Sequence, residues 1–125
     1  MRSFIRWIHS LAYVVKGARA MRKGDDDGVI RNYSRAIEIS PEDLDYYYAR
    51  GHAHWHKREL GLAVADFSKA IELNPKHFAA LKNLAVLYEK AGFKHRAVEM
   101  WERCVHAAPD ADTRLQIKEH LIRLL

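Results

Sequence analysis

The sequence has 125 residues, 49% hydrophobic and 30% charged, the balance of a single folded globular domain rather than a disordered or fibrous chain. No apolar run approaches the roughly 20 residues needed to span a bilayer, and the one cysteine, Cys104, excludes an internal disulfide and multi-cysteine metal frameworks. The net charge of +5 is uneven: residues 1–24 hold Arg2, Arg6, Lys16, Arg19, Arg22 and Lys23 and no acid, so a global nucleic-acid-binding surface is excluded as the meaning of the high isoelectric point.

Residues 2–23 read as one helix, with no proline and apolar residues at helical intervals. Two apolar lines run along it. Phe4, Trp7, Leu11, Val14, Val15, Ala18 and Met21 follow one; Ile5, Ala12, Tyr13, Gly17 and Ala20 follow the other, which is expected to pack. Gly24 suits the left-handed turn that closes a helix. The next helix begins near Asp25-Asp26-Asp27, acids that complement a helix N-terminus, and Ser40-Pro41 ends it. Helices are then expected at roughly 43–57 and 60–73, closed by Asn74-Pro75, and at 77–91 and 94–107, separated by Gly92. After Pro109 a last amphipathic helix runs from about 112 with Leu115, Ile117, Leu121, Ile122 and Leu125. It has no partner helix, which is the arrangement of a cap on an open stack.

The three prolines, Pro41, Pro75 and Pro109, are 34 residues apart each time, and a period of this size marks stacked supersecondary units. Gly17, Gly51 and Ala85 fall in one register position, Val29, Ala63 and Ala97 in a second, and Tyr33, Phe67 and Trp101 in a third; Ala36, Ala70 and Cys104 form a fourth. Cys104 therefore reads as a small buried residue rather than a reactive thiol. This pattern resembles the tetratricopeptide repeat. Counted that way, the units are 10–43, 44–77 and 78–111, with residues 1–9 extending the first helix and 112–125 forming the capping helix. The resemblance implies an all-α fold: a right-handed superhelix of antiparallel helix pairs, about seven helices in one domain.

It also implies a concave groove lined by the first helix of each pair, holding a peptide or a partner's helix. Carried over by position, the candidate groove residues are Tyr48, His52, Trp55 and His56 on the central unit and Lys82, Asn83 and Glu89 on the next. Aromatic bodies offer burial, and basic side chains offer a partner for a carboxylate. Cochaperone members of the family grip chaperone C-termini with lysines and asparagines. Here Val14, Ala18 and Ala49 stand at several of the places concerned, which argues against that subclass.

His52 and His56 lie one helical turn apart, and with Glu89 on the next unit two histidines and a carboxylate could bind zinc. No HExxH pattern is present, however, and histidines in a peptide groove need no metal, so neither a metal nor a cofactor is expected. No nucleophile, base and orienting acid can be assembled, and no phosphate loop is present, so the chain reads as non-enzymatic. Asp66 and Glu72 read as members of solvated faces.

The candidate N-terminal interface is Trp7, Leu11, Val14, Val15, Ala18 and Met21; leaving its five large side chains, all but Ala18, in water forgoes about 1.5–3 kcal/mol each relative to full burial. Self-association, a partner's amphipathic helix or a membrane surface could cover it. The main expectation is thus an adaptor that binds a peptide or helix in its groove. The alternative is a self-assembling or membrane-associated scaffold that uses the N-terminal helix. A cytoplasmic location is expected. An acid-free amphipathic N-terminus also fits mitochondrial import, although cleavage there would strip the second helix of its mate.

Overall fold

The apolar periodicity resolves into seven α-helices in the computed structural model, which describes residues 1–125. They are α1 (Arg2–Arg22), α2 (Asp26–Ile39), α3 (Leu44–His56), α4 (Leu60–Leu73), α5 (Phe78–Lys90), α6 (Lys94–Ala107) and α7 (Ala111–Leu124). Each lies within a residue or two of its predicted span. The chain divides into two compact units, Met1–Leu73 with α1 to α4 and Asn74–Leu125 with α5 to α7.

In the first unit α1 packs on α2, α2 on α3 and α3 on α4. The register explains the closeness of the pairs. A Cβ added to Gly17 would stand 2.6 Å from the Tyr33 ring, and one added to Gly51 would stand 3.0 Å from Phe67. A missing side chain on one helix thus admits an aromatic ring from its mate, and the same exchange recurs one period later. Tyr33 and Phe67 are buried as a result, Phe67 completely, which stabilises the fold by about 2–3 kcal/mol for a fully buried phenylalanine. In the second unit α5 packs on α6 and α6 on α7, around Leu81, Leu84, Leu87, Trp101 and Cys104. Burial pushes the Cys104 thiol up to about 12, so it stays protonated and unreactive near neutral pH, as its register position implies.

The helix ends follow local chemistry. Asp25 accepts a hydrogen bond from the Gly28 amide, Asp43 from Asp45 and Asp110 from Thr113, while the His77 ring nitrogen accepts from Ala80. Gly24 and Gly92 close α1 and α5 in the left-handed region, at φ +70° and +84°. Arg58 occupies the equivalent position between α3 and α4 at φ 63°. An arginine there accepts a backbone that glycine adopts without cost.

Two expectations need correction. The packing line of α1 does not include Ile5 or Ala12, both of which are exposed; it runs through Ser10, Tyr13, Gly17 and Ala20. Ser10 is fully buried because its hydroxyl meets the Tyr46 hydroxyl at 3.0 Å and donates to the Trp7 carbonyl at 2.8 Å. Asp66 is not on a solvated face. It is 4% exposed, and its two carboxylate oxygens accept from Arg50 Nε and Nη2 at 2.8 and 2.7 Å. The polar Arg50 is thereby matched by a polar residue on the facing helix.

Candidate functional site

Within the first unit, a cavity of about 410 Å³ opens where the end of α1, the start of α2 and one side of α3 meet. Met21, Val29, Ala49 and Ala53 supply apolar walls, and Gly24, Asp26, Tyr48, His52 and His56 the remainder. The i, i+4, i+8 spacing of Tyr48, His52 and His56 along α3 sets them on one face. Three of the four residues predicted for the central trench therefore come together here, and Met21, predicted for the N-terminal interface, joins them. Trp55 stands beside this cavity rather than in its lining.

The aromatic side chains rest on the core. His52 lies edge-on to Tyr48 at 4.7 Å and to Phe67 at 5.3 Å, and it stacks on Trp55 at 6.1 Å between ring centroids. Tyr48 and Trp55 also meet Phe67 edge-on, at 5.7 and 6.2 Å. One buried ring from α4 thus props three trench side chains at once. Burial, reinforced by the neighbouring His56, lowers the His52 pKa below its ordinary value of 6.5, so the imidazole is neutral at pH 7. His56 is more exposed, and its Nδ1 lies 3.2 Å from the Asp26 carboxylate. No group of three or more ligating side chains that could hold a metal ion converges here or elsewhere.

The other predicted groove residues belong to the second unit. Lys82 is exposed and Asn83 half-buried, both on α5. Glu89 is engaged inside its own unit: its carboxylate accepts from Trp101 Nε1 at 3.0 Å and meets His120 Nε2 at 2.9 Å, tying α5 to α6 and α7. Those two contacts, His120 first, hold the carboxyl below its usual range. Sequence spacing gave Glu89 its groove position but carried no sign of the two donors.

The predicted N-terminal interface divides. Trp7 and Val15 are about half exposed, Leu11 and Ala18 are half-buried, and Val14 packs against the core of Ala20, Val29, Tyr33 and Tyr46. Phe4, Ile5 and Ile8 are also exposed, and Phe4 stacks on Trp7 at 5.9 Å. Neither Ile5 nor Ile8 was expected on that face.

A family model described as TPR repeat matches residues 17–57, and two described as tetratricopeptide repeat match 44–77 and 67–99. The chain belongs to the tetratricopeptide repeat family, and its fold is the all-α repeat fold of that family. It is 26% identical over 106 residues to small glutamine-rich tetratricopeptide repeat-containing protein 2 of Saccharomyces cerevisiae, covering 85% of this chain and 31% of the yeast protein. It is 30% identical over 96 residues to human serine/threonine-protein phosphatase 5, covering 76% of this chain and 19% of the phosphatase. The chain thus spans less than a third of the length of these relatives. Among solved structures it is similar to the first TPR of Spaghetti (RPAP3) bound to the HSP90 peptide SRMEEVD, with a TM-score of 0.78 and 18% identity, covering 92% of this chain and 89% of that one. At that identity the likeness describes the fold.

Proposed function

We propose that this chain is a non-catalytic interaction module that binds the apolar side of a peptide or short helix in the trench on α3. The observation that carries this reading is the cavity of about 410 Å³ walled by Met21, Val29, Ala49 and Ala53. Its aromatic members are held in place by Phe67 and so are ordered before any partner arrives. Such pre-ordering lowers the entropic cost of binding. A neutral His52 offers one ring nitrogen as acceptor or donor without placing a charge beside the apolar walls.

The HSP90 peptide is a ligand of the Spaghetti domain. In this chain Val14 packs on the core and Ala49 lines the cavity, and neither can hydrogen-bond a terminal carboxylate. The proposed ligand is therefore apolar-faced rather than an acidic tail. Lys82 and Asn83, on the second unit, are proposed as a separate polar contact.

Affinity capture from a lysate tests the trench. Wild type is compared with a Met21→Asp, Tyr48→Ala double variant and with a Trp55→Ala, Lys82→Ala double variant, with folding checked by circular dichroism. The Met21 and Tyr48 changes are expected to lower recovery of specific partners by tenfold or more, on the order of a binding hot spot. Undiminished recovery with that folded variant rejects the trench, and saturable binding of SRMEEVD to the wild type rejects the apolar ligand class.

A further inference from the structure

A second surface lies on α1, away from the trench. Phe4, Ile5, Trp7, Ile8 and Val15 are all between 46% and 59% exposed. At 100° per residue they cover nearly half the helix circumference. Phe4, Ile8, Leu11 and Val15 follow its centre, opposite the Ser10, Gly17 and Ala20 line that packs on the fold. Along the same side, the second half of the helix turns basic. Lys16, Arg19 and Lys23 continue the line of Ile5 and Ala12, and all three are exposed. With Arg31 of α2 they line a cavity of about 370 Å³. Its one carboxylate, Asp25, is already committed to the Gly28 amide at 3.0 Å.

The charge and the width of this face decide what covers it. A second copy of the chain would bring two acid-free, six-cation segments together, and like charges oppose that pairing. A single partner helix covers a stripe narrower than this arc. A lipid surface covers the whole arc, takes Trp7 and Phe4 at its boundary, and supplies anions to the basic half. No helix of the protein is long and apolar enough to cross a membrane, so the geometry is that of a helix lying in the plane of the bilayer.

We infer that α1 docks on an anionic membrane surface, with Phe4, Trp7, Ile8, Leu11 and Val15 entering the acyl boundary and lipid phosphates occupying the basic cavity of Lys16, Arg19, Lys23 and Arg31. This site is independent of the trench, and the variants that test the two share no residue.

Flotation of the full chain decides it, using vesicles of equimolar phosphatidylcholine and phosphatidylserine beside vesicles of phosphatidylcholine alone. Wild type is expected to float with the anionic vesicles only, to be released by high salt, and to show a blue-shifted tryptophan emission that Trp7→Phe removes. An Ile8→Asp, Val15→Asp variant is expected to stay in solution. A Lys16→Gln, Arg19→Gln, Lys23→Gln variant, which alters only exposed side chains, keeps the fold and is expected to partition on the order of 100-fold more weakly. Failure of the wild type to float on anionic vesicles overturns the inference, as does equal flotation of the glutamine variant. A light-scattering mass of twice the monomer, restored to monomer by Ile8→Asp and Val15→Asp, overturns it in favour of a second copy.

Discussion

Arg58 carries the clearest single-residue strain in the molecule. Its two register equivalents are Gly24 and Gly92, and all three positions adopt positive φ. Only the arginine has a Cβ to accommodate there, at a cost of about 1–2 kcal/mol. Arg58→Gly is expected to raise stability by about 0.5–1 kcal/mol, since glycine's greater freedom in the unfolded chain offsets part of the relief. Urea denaturation measures it, and an unchanged midpoint with unchanged slope would show that the left-handed turn is not strained. The positions of Gly24 and Gly92 were legible in the sequence because glycine before a new apolar run signals a helix end. Arg58 was not, because nothing in an arginine announces positive φ. The burial of Asp66 is illegible in the sequence for a related reason. A lone acid reads as exposed unless its partner is known, and Arg50 lies 16 residues away on another helix.

Among the helices, α7 shows how an array end is secured without a following repeat. Ile117 is buried within the second unit, and the Glu89 carboxylate draws in Trp101 and His120 from two helices. Glu89→Gln keeps the shape but loses the charge. It is expected to cost about 1 kcal/mol, the upper part of the hydrogen-bond range being reduced by partial exposure. Amide exchange should rise chiefly in α7, and a uniform rise over all helices would argue against this local role. That α7 exists and is amphipathic was legible from Leu115, Ile117, Leu121 and Ile122. Its fastening was not, since the tie joins residues 31 apart in sequence. Helix α1 shows the reverse difficulty. Two apolar lines were visible, but choosing the packed one required knowing that Ser10 finds Tyr46.

For the molecule as a whole, the 34-residue period and the exchange of small residues for rings were enough to reach the family, because both are imposed by repeated packing. The candidate site was legible only as a set of side chains on α3, since a cavity is made by backbones that no spacing rule positions. Acid tests this assembly in two stages. His52 has a folded pKa below its ordinary 6.5, so the unfolded chain takes up its proton first. That contribution is full above pH 6.5 and is lost as pH falls from 6.5 towards the folded value. Glu89, with a pKa below its ordinary 4.5, adds a second loss that begins only as pH falls below 4.5. Thermal midpoints measured across this range should fall in both windows, and His52→Gln should remove the first while leaving the second. An unaltered first step in that variant would assign it to another group. The arrangement around Phe67 has an optical consequence. Trp55 stacks on His52, and an imidazolium quenches a neighbouring indole where a neutral imidazole does so weakly. Trp101 lies against His120 at 4.9 Å and would respond to acid in the same way, so a Trp7→Phe, Trp101→Phe variant isolates Trp55 as a fluorescent reporter of the trench's protonation.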